Sequence, residues 1–116
     1  MTFMTELVVR EVDDVRWKLE RDLIYQGNKD LFTVPVGFKT DFASVPRLFW
    51  NILPPTGRYT KAAILHDWLY NSHAVSKEDA DGIFRRIMEE ENVGVVKRNI
   101  MYFAVKFFGG NAYNKK

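Results

Sequence analysis

Residues 62–70 read AAILHDWLY, an apolar run broken by a histidine and an aspartate side by side. On a helix His66 and Tyr70 are four residues apart and Asp67 and Tyr70 three apart, so the three side chains leave neighbouring positions. The flanking residues leave no polar face, which marks a buried helix. A polar group buried there without a partner would cost roughly 2–7 kcal/mol, so the run needs partners from elsewhere in the chain. Asp81 is the best placed. Residues 76–79 (SKED) have the spacing of a capping box, with Asp79 in place of the usual Glu or Gln, and open a second helix that runs to about Glu90. The short loop between the two helices, residues 71–75, makes them antiparallel neighbours. Asp81 then lies one turn into its helix and His66 one turn from the end of its own, at matching depth. A His held by an Asp is a positioned general base, because the carboxylate fixes the tautomer and stabilises the imidazolium. Tyr70 can donate its hydroxyl to the same carboxylate.

The other polar residues carry several readings. Asp67 faces away from Asp81, and a carboxylate among carbonyl oxygens suits a calcium ion. Arg47 or Arg58 would serve it equally, as a bidentate guanidinium partner. Asp41 reads as a turn cap bonding backbone amides. Gathered near His66, Asp41, Asp67 and Asp81 would form a divalent-metal site, but in no standard spacing. Ser44 precedes Val45-Pro46 and reads as the N-cap of a short helix over residues 46–52. A Ser44–His66–Asp81 triad is the nucleophilic alternative, although no nucleophile elbow surrounds Ser44. His66 also reads as a core histidine bonded to Asp81 for structure alone. His73 falls in the loop, exposed.

These residues need a scaffold. Residues 16–25 and 31–36 predict strands, broken at 20–22 and joined through the turn residues 26–30 into a hairpin that Pro35 and Gly37 close. Residues 7–9 give a weak strand signal. The His66 helix begins at Thr56 or Gly57 and runs to about Tyr70. The second helix carries the stripe Ala80, Ile83, Phe84, Ile87 and Met88, with Asp81 at its edge. A third helix, residues 95–108, is expected to bury Val96, Ile100, Phe103, Ala104 and Phe107, and Gly109-Gly110 to end it. The fold class is α+β, a small N-terminal antiparallel sheet followed by three main helices.

At 116 residues the chain is expected to form a single domain, residues 1–116, and 47% hydrophobic residues give it a core. It has no cysteine, which excludes disulfides and thiolate metal sites and fits a reducing compartment. No signal peptide and no span of about 18 apolar residues are visible, so the cytoplasm of a bacterial host, or a virion, is the expected location. The net charge is +2, and the basic residues that gather late (Lys97, Arg98, Lys106, Lys115, Lys116) fit an anionic partner surface but better a solvated basic face. No aromatic-and-basic platform is seen, so no nucleic-acid partner is expected. Oligomeric state leaves no mark on the sequence.

Two resemblances follow. GFKTDFASVPR (residues 37–47), LPPTGRYTKAAILHDWLY (53–70), SKEDADGIF (76–84) and FFGGNAY (107–113) resemble a family of small phage and prophage proteins catalogued as a domain of unknown function. This implies phage origin and, as one function, a virion-assembly or host-interaction role with a phage structural or host protein as partner. The second resemblance covers only residues 62–84. His66-Asp67-x-x-Tyr70 with Ala80-Asp81-x-x-Phe84 is similar to the paired catalytic helices of the phospholipase A2 superfamily, closest to its disulfide-free parvoviral type. It implies His66 as the base that activates water, Asp67 as a calcium ligand, Asp81 orienting His66, and Tyr70 bonding Asp81. The substrate it implies is a glycerophospholipid at a membrane surface. The family's glycine-rich calcium loop has no counterpart here beyond Gly57 in PPTGRY.

Overall fold

The computed structural model describes residues 2–12, 16–27, 30–40 and 60–115. The class is α+β: six short strands come first, then helices. The chain divides into two compact units, Met1–Asp41 and Phe42–Lys116. The expected helix over residues 46–52, and with it Asp41, Ser44, Arg47, Trp50 and Arg58, lies outside the described residues.

The first unit holds β1 (Thr2–Phe3), β2 (Val9–Glu11), β3 (Trp17–Leu19), β4 (Leu23–Gln26), β5 (Leu31–Val34) and β6 (Lys39–Thr40). They form two three-stranded antiparallel sheets, ordered β1-β4-β5 and β2-β3-β6. The expected hairpin is β4–β5. Its register puts Leu23 opposite Val34 and Tyr25 opposite Phe32. All four side chains are buried, as one face of a period-two pattern requires. The break at residues 20–22 separates β3 from β4 and so divides one apolar stretch between the two sheets. Pro35 ends β5, and the following turn closes with Phe38 N–H on the Pro35 carbonyl at 3.1 Å. Gly37 takes φ +91° there, a conformation that side chains resist.

The second unit holds α1 (Thr60–Ser72), α2 (Lys77–Glu90), α3 (Val95–Phe108) and a short α4 (Gly110–Lys115). All nine positions of α1 from Ala62 to Tyr70 but one, Trp68, are buried, so this helix is held by packing all round rather than by an amphipathic face. Ser76 caps α2 by accepting from the Asp79 N–H at 3.1 Å. The buried stripe of α2 is Ala80, Phe84, Ile87 and Met88, and Asp81 is buried with it. Four residues separate α1 from α2, and the two pack as a helical hairpin. No helix among the described residues is long and apolar enough to cross a membrane.

The third helix has the expected bounds but buries a different face. Of the five residues expected to be buried, only Ala104 is fully so, and Val96 (68%), Phe103 (48%) and Phe107 (68%) are exposed. Met101, Ala104 and Val105 are buried instead. Both sets have helical spacing, so periodicity alone could not choose between them; the smaller Ala104–Val105 face allows the backbone to approach α2 closely. The expected end at Gly109 holds, since Gly109 is the C-cap of α3, and a further short helix, α4, starts at Gly110.

This rotation of α3 is open to measurement. Met101→Ala should cost about 2–5 kcal/mol of unfolding free energy, as expected for a filled core position. Phe107→Ser should stay within about 0.5 kcal/mol, as expected for a surface position. Urea midpoints of the two variants read the difference, and equal losses would place the buried face where the sequence pattern first put it.

Candidate functional site

The site is built around one carboxylate. His66 Nε2 lies 2.7 Å from Asp81 Oδ1. The Tyr70 hydroxyl donates to the same oxygen at 2.5 Å. Lys77 Nζ donates to the other oxygen, Oδ2, at 2.7 Å. The helix spacing explains each contact: His66 and Tyr70 share a face of α1, and Lys77 lies one turn before Asp81 on α2. Aromatic rings pack around the imidazole. Phe84 stacks on His66 at 4.6 Å between centroids, and Tyr70 sits at 4.2 Å. The His66 side chain has no solvent exposure (0%).

Burial and bonding set the charges. Burial lowers the His66 pKa from 6.5, against the opposing pull of the Asp81 hydrogen bond, so the ring stays neutral at pH 7. For Asp81 burial acts upward, but the hydrogen bonds from His66, Lys77 and Tyr70 outweigh it and keep the carboxyl below its ordinary value. Burial, then the bond to Asp81, pushes the Tyr70 hydroxyl far up, so it stays protonated and donates to Asp81. A neutral imidazole beside an ionised carboxylate carries its proton on Nε2, which leaves the lone pair on Nδ1.

The C-terminal segment closes this cluster. A Cβ added at Gly109 would sit 2.7 Å from the Tyr70 hydroxyl oxygen and 2.5 Å from the Val105 carbonyl oxygen. Gly109 has φ −81°, so what it provides is space and not a special backbone conformation. Tyr113 of α4 meets the Tyr70 ring edge-on at 5.2 Å, and its hydroxyl donates to the Val75 carbonyl at 3.0 Å. His73 is exposed as expected, has φ 54°, and its Nε2 lies 2.7 Å from the Tyr113 carbonyl oxygen. The FFGGNAY motif therefore packs on the dyad helix.

Of the residues singled out from sequence, His66, Tyr70 and Asp81 meet. Asp67 is buried and engages in an interaction of its own. Asp41, Ser44, Arg47 and Arg58 lie outside the described residues. Among the described residues no three His, Cys, Asp or Glu side chains group as a metal site. Sequence reasoning missed Lys77 and Gly109. The i,i+4 spacing of Lys77 and Asp81 was a signal for the first. Nothing local marked the second, because its neighbour Tyr70 is distant in sequence.

Comparison with known proteins adds a family and few particulars. The profile of a family described as "Protein of unknown function (DUF1353)" matches residues 17–105. An uncharacterized protein of Sinorhizobium fredii, y4jT, is 35% identical over 96 residues, which cover 80% of this chain and 29% of the relative. A second from the same organism, y4iH, is 30% identical over 73 residues, 61% of this chain and 30% of the relative. The matched stretch thus spans about three tenths of each of these relatives. No solved structure matches.

Two outcomes test the cluster. Unfolded chains take up a proton on His66 near pH 6.5, whereas the folded state resists it, so below that pH the unfolded state binds more protons and stability falls. Asp81, with its carboxyl held below the ordinary 3.8, adds a loss of the same sign at lower pH. Unfolding free energy should therefore decline from about pH 7.5 to about 5.5, and His66→Gln should flatten that slope. Gly109→Ala should cost about 1–3 kcal/mol by overpacking. Combined with Tyr70→Phe, which removes one of the two atoms it strikes, it should cost less than the sum. Strict additivity in a denaturant double-mutant cycle would show that the two sites do not touch.

Proposed function

The chain belongs to the DUF1353 family, and we propose that its α1–α2 pair is a hydrolase-like site in which the His66–Asp81 dyad activates water against an ester. The observation that supports this reading is the shared oxygen: Asp81 Oδ1 accepts from both His66 Nε2 and Tyr70. That arrangement orients a neutral imidazole with its Nδ1 as base. In the reaction, Nδ1 takes a proton from water while the water oxygen attacks the ester carbonyl carbon. Asp81 stabilises the imidazolium that forms. The proton then passes to the leaving alkoxide as the carbon–oxygen bond breaks. Tyr70 holds the carboxylate and does not exchange its own proton. A glycerophospholipid is the substrate class that the phospholipase A2 resemblance implies, with calcium at Asp67 as its cofactor. Since the His66 side chain has no exposure, turnover requires a local opening that admits water and the ester.

Purified protein offered labelled phospholipid, with calcium and with chelator, should release fatty acid, and His66→Ala should abolish that release. Turnover that is absent, or indifferent to His66→Ala, sinks this reading.

The burial of His66 favours a second reading, in which the network only rigidifies the core of a virion-assembly or host-interaction protein. The exposed groove on α3, lined by Val96, Ile100, Phe103 and Phe107 among others, would be its contact surface. Under this reading His66→Ala and Asp81→Ala each strand a buried partner and should cost roughly 1–3 kcal/mol in denaturant melts. A functional site under strain would lose little stability, or gain some, when His66 is truncated.

A further inference from the structure

Lys77 is the group in the cluster to which neither resemblance assigns a role. Its ammonium has three protons and meets three acceptors: Asp81 Oδ2 at 2.7 Å, the Val105 carbonyl at 3.1 Å and the Lys106 carbonyl at 3.1 Å. It also lies 6.0 Å over the Tyr70 ring centroid. Two of its acceptors are carbonyls of the last turn of α3, where a cation is favoured; the Val105 carbonyl also accepts from the Gly109 N–H at 2.9 Å. The ammonium is thus held at one end by the backbone of α3. Its remaining proton goes to the far oxygen of Asp81.

A carboxylate on a side chain can turn about its last bond, so one bonded oxygen does not fix the other. With Oδ2 pinned by Lys77, Oδ1 is left pointing at α1, where His66 and Tyr70 wait. We propose that Lys77 is a positioning residue: by anchoring Asp81 Oδ2 to the C-terminus of α3, it fixes the rotation of the carboxylate and so holds His66 in the single tautomer with its proton on Nε2. Removing the ammonium frees Asp81 to turn. The imidazole then samples both tautomers. The inference deepens the dyad reading of the site, yet the tautomer itself can be observed without any turnover.

The natural chain has no cysteine, so Lys77→Cys can be alkylated at one position with 2-bromoethylamine to restore an ammonium at nearly the original reach. The measurement is the long-range ¹H–¹⁵N NMR pattern of the His66 ring at neutral pH. The full chain should show one tautomer, protonated on Nε2. Lys77→Met and unmodified Lys77→Cys should show averaged, mixed-tautomer shifts. Aminoethylated Lys77→Cys should return to the single form. If Lys77→Met does not fold, Lys77→Arg serves: it keeps the charge, but its planar fork cannot meet three acceptors in this arrangement, and mixing is again expected. A folded Lys77→Met or Lys77→Arg with an unchanged Nε2–H pattern overturns the proposal, because a merely structural lysine would lower the melting temperature and leave the tautomer alone. A tautomer that depends on Lys77 in a protein with no ester turnover would sink the hydrolase reading and leave this one standing. Turnover that survives with a tautomer indifferent to Lys77 would do the reverse.

Discussion

The buried Asp81 carboxylate is the constraint on which the helical unit depends. A carboxylate taken out of water without partners is too costly to keep ionised. Here both oxygens are engaged, one by His66 and Tyr70 and the other by Lys77. Each donor comes from a fixed place on α1 or α2, so satisfying the charge also fixes the register of the two helices. A slide of one helix past the other by a turn would move His66 and Tyr70 away together and strand the charge. Apolar packing alone tolerates such slips far better, because Leu69, Phe84 and Ile87 could find other hydrophobic neighbours.

The same constraint reaches α3 and α4. Lys77 ties the carboxylate to the last turn of α3 through two carbonyls. Gly109, just past that turn, leaves room for the Tyr70 hydroxyl that completes the cluster. Tyr113 then packs edge-on against Tyr70 from α4. The FFGGNAY motif and the LHDWLY motif are thus two sides of one contact, although dozens of residues separate them in the chain. This is why a glycine with an ordinary helical φ occurs where the helix pauses: the demand is for volume.

What was legible in the sequence follows from how local the signal is. Ser76 and the periodic stripe of α2 announced their helix, and a short loop then fixed the depth at which Asp81 meets His66. The β4–β5 hairpin was legible for a similar reason, as turn residues and alternating apolar positions lie within one short stretch. The pairing of β3 with β6 was not, because β6 has only two residues, Lys39–Thr40, and no alternation can be read from two. On α3 the helix was legible but its orientation was not. Two apolar faces compete there, and only the neighbouring α2 decides between them. Lys77 shows the remaining gap: its spacing to Asp81 was visible, but surface Lys–Asp pairs with that spacing are common and worth little. Only burial of the acceptor changes its weight.

Burial also bears on what the dyad can do. An imidazole sealed against Phe84 and Tyr70 is kept neutral by the same desolvation that denies it water. A neutral ring is the form a general base needs, and an ionised Asp81 is the form that would stabilise it once protonated. The electrostatics therefore suit proton abstraction, whereas the packing opposes the approach of a substrate. These two properties are separable, because the charges depend on contacts within α1, α2 and α3, while access depends on whatever covers the remaining edge of the His66 ring. A substrate that displaced that cover would meet a base already oriented. A core that never opens would hold the same geometry for stability alone, and the arrangement of Asp81 would look identical in both.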